Sequence, residues 1–392
     1  ILGVIELINK RKDFQNRIPG TPLKDEVIIP FSRKDQDLLF SLASQAAIAL
    51  ENNRLLKDIK KLFEGFVEAS VIAIEARDPT TSGHSERVAA MTVYFAQILD
   101  RSIDGPYKDI RFNSTAQTEL RYASLLHDFG KVGVREEVLV KAKKLFPYEL
   151  ESLRSRFSLI KKSMESDFYK NSLNYVLEYG VEKYKAIQHS LEANLTNQLY
   201  ELEELLLFLE GANEPTILEE GNFQRLMSIA ARGYLSTGGL EIPFLTDREM
   251  HVLSIRKGSL SESERHEIES HVTHTFNFLS KIPWTRDLRR VPEIAFSHHE
   301  KLNGRGYPNH LQTPSIPLES RLLTICDIYD ALTAKDRPYK RAIPSQKAFD
   351  IMFGEVNQGL LEEGLLEIFV KAKVFQVIEE PKFNQGRDLR NR

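Results

Sequence analysis

Polar residues that can bind metal ions recur where apolar segments of this chain end. The stretch SHHEKLNGRGYP (297–308) places two adjacent histidines and a glutamate before a glycine-rich loop, and LLHDFGK places His127 beside Asp128. Buried polar groups without partners are costly. Such residues on apolar helical segments therefore need either a hydrogen bond within a core or a bound ion.

Seven residues form a candidate ligand set that is large enough for two ions. Imidazole and carboxylate groups suit Fe, Mn, Zn or Ni. An aspartate that directly follows a ligand histidine can bridge two ions, and ions about 4 Å apart lower the pKa of a shared water and clamp a phosphodiester. Each histidine alone is better explained by a hydrogen bond in a core, and only the set as a whole favours metal. The predicted ligands are His84, His127, Asp128, His271, His298, His299 and Asp327.

Composition excludes several classes of protein. The 392 residues are 42% hydrophobic and 28% charged, as expected of a globular protein that is neither disordered nor embedded in a membrane. The net charge of -3 gives no basic bias toward nucleic acid. The single cysteine, Cys326, excludes an intramolecular disulfide, argues against a structural zinc–cysteine site and fits a cytoplasmic setting. Because the chain starts at Ile1, inside an apparent strand, we expect it to be a fragment.

The first 70 residues or so read as a strand, a loop and a long helix. ILGVIELINK (1–10) is typical of a buried strand, and PFSRKDQDLLFSLASQAAIALENNRLL predicts a helix with Ser32 as its N-cap. A heptad-like seam then continues along this helix, either packing on its own domain or pairing two parallel chains. The seam consists of Ile48, Leu55, Ile59, Leu62, Phe66 and Ala69, with Asn52 in register.

The remaining pattern is helical. Apolar residues in the segment 143–257 are spaced by three and four, which predicts amphipathic helices that make contacts rather than perform chemistry. After it, Ser261 and Glu264 form a capping box at the start of the next helix. We therefore predict a mainly α-helical protein.

HDFGK, HHEKLNGRGYP and CDIYDALTAKDRPYKR resemble the HD-GYP domain, a branch of the HD metal-dependent phosphohydrolases. The resemblance implies an all-helical catalytic domain over residues 65–142 and 258–380, interrupted by the α-helical insertion 143–257. GVIELINK and ALENNRLL resemble the C-terminal part of a GAF domain, an α/β sensor, over residues 1–55. Residues 56–75 would then be a linker or signalling helix.

The resemblance implies a role for each matched residue. The seven predicted ligands would hold metal, with Asp128 bridging, and Lys131 would stabilise charge on the scissile phosphate. Thr80 stands where members with a third ion have glutamate, so two ions are expected, with Fe or Mn as the metal. Asn303 and Val272 replace a more usual aspartate and proline without removing a ligand. Gly304 would help to shape the loop, and the expected substrate contacts are Arg305, Gly306, Tyr307, Pro308, Arg337, Tyr339 and Lys340.

The implied activity is hydrolysis of cyclic-di-GMP to pGpG, and onward to GMP in some members, under regulation by the GAF segment. Water activated by the ions would attack phosphorus in line, and the 3′-oxygen would leave. The alternatives are a cyclic-dinucleotide-binding module with little turnover, another cyclic dinucleotide such as cyclic GMP-AMP, and another HD phosphohydrolase. Expected partners are a second copy of the chain, through the linker helix, and a diguanylate cyclase (GGDEF) protein. The sequence leaves open which metal is bound, the GAF ligand and the role of the insertion.

Overall fold

The computed structural model describes residues 4–8, 10, 29–77, 82–334 and 342–379, and the described part is mainly helical, as predicted. The chain divides into two compact units, residues 1–70 and 71–392. The α-helices are α1 (Arg33–Arg77), α2 (His84–Asp100), α3 (Ser114–Leu126), α4 (Glu136–Leu139), α5 (Pro147–Tyr179), α6 (Val181–Ala212), α7 (Glu220–Ala230), α8 (Asp247–Leu253), α9 (Glu262–Glu269), α10 (His271–Leu279), α11 (Val291–Phe296), α12 (Leu318–Thr333), α13 (Ser345–Asn357) and α14 (Glu363–Lys371). Short 3₁₀ helices span Phe129–Gly133, Arg286–Leu288 and Val374–Glu379. None of the described helices combines the length and the apolar character that a membrane crossing requires.

The first unit contains most of α1, and its predicted N-cap is confirmed. The Ser32 carbonyl accepts the first backbone bonds of the helix, and the Asp35 carboxylate accepts from the Ser32 amide and hydroxyl, each at 2.7 Å. The buried strand predicted over residues 1–10 is wrong for the residues described, because residues 4–8 are exposed and form no strand. A strand needs a paired neighbour, and among the described residues up to Lys10 only Lys10 forms a backbone bond to another described residue, Ile29.

In the second unit, α2 packs on α3 and α12, while α10 packs on α11 and on the 3₁₀ turn Phe129–Gly133. The interfaces are filled by fully buried side chains such as Leu99, Leu126 and Leu322. Burial of a leucine side chain contributes roughly 2 kcal/mol. This packing fixes the ends of α3, α10, α11 and α12 near one another.

The segment between α4 and α9 builds a hydrophobic core of its own from α5 to α8, with Leu153, Phe157 and Leu209 among its buried residues. It is not purely helical as predicted, because β1 (Gly233–Leu235) pairs antiparallel with β2 (Glu241–Pro243). The connecting STGG sequence turns the chain back, and Gly239 adopts a φ of 77°, which favours glycine.

The two ends of this insertion are joined next to α9. Lys141 Nζ lies 2.7 Å from a Glu264 oxygen, and both side chains are buried. The Ser259 hydroxyl donates to the Lys141 carbonyl at 3.0 Å. Glu264 also completes the predicted capping box with Ser261, which is confirmed. The insertion is therefore tied to the helix that precedes His271.

Candidate metal centre

The HDFGK turn follows the end of α3 and is held against α10. The Gly130 amide donates to the Thr275 hydroxyl at 2.8 Å, and that hydroxyl donates to the His127 carbonyl at 2.9 Å. A Cβ on Gly130 would lie 1.8 Å from the His271 carbonyl oxygen, so only glycine allows this approach. The turn thereby brings His127 and Asp128 beside His271.

His298 and His299 follow α11, and α12 supplies Asp327 from the opposite side. The Thr324 hydroxyl donates to the His298 carbonyl at 2.6 Å, which joins α12 to this turn. The His298 ring lies 4.9 Å from that of His127, measured between centroids. The ends of α3 and α11, the start of α10 and the middle of α12 therefore meet around one space.

The structure brings all seven predicted ligands into one continuous cluster. Their donor atoms form three overlapping groups, and within each group the atoms lie no more than 4.8 Å apart. His127 and His298 each belong to two groups, which joins the three into one. In the part of the chain that the structure describes, no other cluster of this kind is found. The groups are His84, His127 and Asp128; His127, His298 and Asp327; and His271, His298 and His299.

Three imidazoles present an unused nitrogen to the cluster. The Nδ1 atoms of His127, His271 and His298 lie 2.7, 2.6 and 2.6 Å from backbone carbonyl oxygens, which requires Nδ1 to be the protonated nitrogen. Their Nε2 atoms are buried and, among the described residues, have no hydrogen-bond partner. Buried polar atoms rarely stay unsatisfied. These residues therefore fit a bound metal ion, since neutral imidazole is a common ligand.

Asp128 lies between the imidazoles and directs its two oxygens to different groups. Oδ1 is 3.3 Å from His271 Nε2, while Oδ2 is 3.5 Å from His127 Nε2 and 2.9 Å from Lys131 Nζ. Asp327 Oδ1 lies 3.2 Å from His84 Nε2. The two carboxylates thus alternate with the imidazoles.

His84 obtains its second hydrogen bond from a carboxylate. Its Nδ1 lies 2.8 Å from Asp330 Oδ2, and Arg87 donates to both Asp330 oxygens, at 2.6 and 2.9 Å. Burial alone would lower the pKa of His84, but Asp327 and Asp330 outweigh it and raise the pKa to about 9. Burial also opposes ionisation of Asp330, yet His84 and Arg87 hold its pKa below the usual value. Asp330 and Arg87 were not identified by the sequence reasoning.

The remaining ionisable groups divide by charge. Burial, together with the neighbouring His127 and His271, lowers the pKa of His298 to about 3. Burial likewise lowers the pKa of His127 and His299. Burial disfavours the charged form of Asp128, but Lys131 and His127 outweigh it and lower its pKa. The site thus combines ionised carboxylates with three imidazoles, those of His127, His298 and His299, whose lowered pKa values keep them neutral, whereas the pKa of His84 is raised.

The loop after His299 folds back over the cluster. The buried Glu300 carboxylate accepts the amides of Asn309 and Leu311, at 2.7 and 2.9 Å. A Cβ on Gly306 would lie 2.3 Å from the Lys301 nitrogen, which leaves no room for a side chain. Tyr307 lies beside His299, with ring centroids 4.8 Å apart. Glu300 therefore holds the loop in place, a role that the sequence reasoning did not assign.

The other predicted substrate contacts are exposed, half-buried or outside the described residues. The side chain of Arg305 is exposed, and its backbone amide donates to Asn303 Oδ1 at 3.0 Å. Pro308 is half-buried in the loop. Arg337, Tyr339, Lys340 and Thr80 lie outside the described residues, so the predictions for them remain predictions.

Comparison with known proteins shows which family this part of the chain is similar to. Residues 221–361 match the HD domain, and this range contains His271, His298, His299 and Asp327. The chain is 40% identical over 97 residues to the 3′3′-cGAMP-specific phosphodiesterase 3 of Vibrio cholerae, covering 25% of this chain and 20% of that protein. It is 34% identical over 95 residues to a cyclic di-GMP phosphodiesterase of Thermotoga maritima, covering 24% of this chain and 25% of that protein.

A third relative is the cyclic di-GMP phosphodiesterase response regulator RpfG of Xanthomonas campestris, 33% identical over 101 residues, or 26% of each chain. The matches to these three relatives span only about a fifth to a quarter of their lengths. The match to the HD domain and the clustered imidazole and carboxylate groups both support dependence on divalent metal. The resemblance to HD-GYP phosphodiesterases is confirmed, whereas none of these matches bears on the GAF resemblance.

Proposed function

We propose that this protein is a metal-dependent phosphodiesterase that hydrolyses cyclic-di-GMP to pGpG, with GMP as the product of a second cleavage. The observation that carries the proposal is the single cluster of seven imidazole and carboxylate groups. Three of its histidines have a buried Nε2 atom that forms no hydrogen bond to any described residue. The names of the relatives support this choice of substrate class.

We further propose that the cluster holds two ions, with Fe or Mn as the metal. The position of Asp128 suits a ligand shared by the two ions, because its Oδ1 faces His271 while its Oδ2 faces His127. Bound divalent ions would lower the pKa of a water molecule and neutralise charge on the phosphodiester. The absence of cysteine from the cluster agrees with oxygen and nitrogen ligation.

The protein groups around the cluster have separate tasks in this proposal. The Lys131 ammonium, 2.9 Å from Asp128, would stabilise negative charge that develops on the phosphoryl oxygens. The Tyr307 ring would offer a face for a guanine base. Glu300 would keep Tyr307 in place by fixing both ends of the segment that follows it.

Two alternatives are testable with the same assay. Hydrolysis of 3′3′-cyclic GMP-AMP is supported by the names of three Vibrio cholerae relatives. A binding module that holds nucleotide without turnover would use the same loop but not Lys131.

The decisive experiment loads purified protein with Fe(II) or Mn(II), adds each cyclic dinucleotide and follows the products by chromatography. We expect pGpG from cyclic-di-GMP, and no product from the variant His127→Ala/Asp128→Ala. Tight nucleotide binding without turnover in the metal-loaded protein would contradict the enzyme and favour the binding module. Faster cleavage of cyclic GMP-AMP than of cyclic-di-GMP would make cyclic GMP-AMP the preferred substrate.

We propose that α1 pairs two copies of the chain in parallel. The seam residues Ile59 and Leu62 are 64% and 77% exposed in the isolated chain. Asn52 occupies the seam as well, and a single polar residue there specifies register in paired helices. Light scattering should give a dimer, and a monomer would contradict this proposal.

We also propose that a GAF segment at residues 1–55 regulates the activity. We propose a diguanylate cyclase as a protein partner. They rest on the sequence resemblance alone. Copurification with a diguanylate cyclase, lost when the exposed seam of α1 is disrupted by Leu62→Lys, would support the partner.

A further inference from the structure

Three histidines of the candidate metal centre are oriented by backbone alone. In His127, His271 and His298, Nδ1 bonds to the carbonyl three residues earlier in the chain. Each of these histidines follows a helical turn, so such a carbonyl is available nearby. Their Nε2 atoms are therefore directed at the cluster without help from another side chain.

His84 cannot be oriented in this way. It is the first residue of α2, and the preceding Gly83 has a left-handed φ of 65°. No turn of α2 therefore precedes the ring to supply a carbonyl. Its Nδ1 instead lies 2.8 Å from Asp330, a residue 246 positions away in sequence.

Asp330 is itself held firmly. Arg87 lies one turn after His84 on α2 and contacts both carboxylate oxygens, at 2.6 and 2.9 Å. The same guanidinium donates to the Ser82 carbonyl at 2.9 Å, just before α2. The Asp330 side chain is 1% exposed, so water does not compete for these bonds.

Asp330 also has a fixed relation to a predicted ligand. It follows Asp327 by one turn of α12, which puts both carboxylates on one face of that helix. Asp327 contacts His84 Nε2 at 3.2 Å while Asp330 contacts Nδ1 at 2.8 Å. The two carboxylates thus hold opposite edges of one imidazole.

We propose that Asp330, fixed by Arg87, is a positioning residue for the ion that His84 binds. This inference rests on the proposed metal-dependent function. Asp330 keeps the proton of His84 on Nδ1 and aims Nε2 at Asp128 and Asp327. A hydrogen bond of this kind typically raises metal affinity by about 10–100-fold. Because His127, His271 and His298 are oriented by backbone, we expect the effect to be confined to one of two ion positions.

The test compares metal content and Mn(II) electron paramagnetic resonance in the wild-type protein and in Asp330→Asn. The wild type should hold two ions with the spectrum of a coupled pair. The variant should hold one, with the spectrum of an isolated ion, and its affinity for the second should fall about 10–100-fold. Two tightly bound, coupled ions in Asp330→Asn would overturn the proposal.

Glu249→Gln is a matched control. Glu249 is also a buried carboxylate that Arg156 contacts through both oxygens, at 2.6 and 2.7 Å, but it lies in the insertion. Its loss should leave two ions in place. If Asp330→Asn does not fold, Arg87→Lys serves instead, since lysine keeps the charge but cannot contact both oxygens in the same way. It should weaken the same single ion, and unchanged binding would again overturn the proposal. A wild type that binds no metal would contradict the proposed function, a result distinct from either.

Discussion

The candidate metal centre and the helical insertion differ in whether their buried polar groups have hydrogen-bond partners. In the centre, the Nε2 atoms of three buried histidines form no hydrogen bond to any described residue. In the insertion, Asp167 accepts from the Tyr234 hydroxyl at 2.5 Å and the Thr237 amide at 3.0 Å, and Glu249 is paired with Arg156. Since unsatisfied buried groups are costly, those in the centre indicate a ligand, whereas those in the insertion stabilise the fold.

The insertion also contains a cleft, and the same contrast applies to it. The cleft has a volume of about 490 Å³ and lies between α5, α6 and the hairpin, with Asp167, Tyr175 and Tyr234 in its wall. Its acidic group is already satisfied by hydrogen bonds. The cleft therefore differs from the metal centre in that its acidic group needs no further partner.

The largest effect should come from Asp128→Ala, which removes a carboxylate that contacts imidazoles on both sides. We expect turnover to fall by at least about a thousandfold, because both ions lose a ligand. Metal analysis and product assays measure the two effects, and Glu249→Gln should change neither. If Asp128→Ala keeps two ions and normal turnover, the claim that buried polar groups bind a ligand in the centre but stabilise the fold in the insertion would be wrong.

Lys131→Ala should reduce turnover by about 10²–10³-fold while metal content stays the same, since the ammonium acts on substrate charge rather than as a ligand. Steady-state kinetics of the metal-loaded protein checks this. Loss of an ion along with activity would show that Lys131 acts by holding Asp128, its neighbour at 2.9 Å.

The sequence allowed the ligands of the centre to be predicted, but not what orients them. All seven ligands stand in short motifs of characteristic type, and the structure brings them together. Arg87 and Asp330 are 243 residues apart, so their contact exists only after α2 and α12 pack. The signal available was the one-turn spacing from Asp327 to Asp330, which puts both on one helix face.

Local patterns predicted helices well and strands badly. The capping box at Ser261 and the N-cap at Ser32 depend on neighbouring residues and are confirmed. The hairpin after α7 was missed because its strands are only three residues long. The apolar run at residues 1–10 had the composition of a strand, but pairing depends on a neighbour that composition does not reveal.

In the insertion, Leu209→Ala should act on stability and leave chemistry unchanged. Leu209 is fully buried in the core formed by α5 to α8, so its truncation should cost about 2–5 kcal/mol in the free energy of unfolding. Denaturant unfolding measures this, and metal content and turnover of the folded fraction should match the wild type. Loss of an ion without loss of stability would show that the insertion contributes to the centre.

Asp167→Asn should give the smallest effect, and one that depends on pH. Hydrogen bonds from Thr237 and Tyr234 lower the pKa of Asp167 from 3.8 to about 2. The ionised group therefore stabilises the fold above pH 3.8, and this contribution is lost as pH falls toward 2. Melting curves of wild type and variant should differ near neutral pH, by less than for Leu209→Ala, and should converge as pH approaches 2. A constant difference at every pH would mean that packing of the hairpin, rather than the charge of Asp167, joins β1 and β2 to α5.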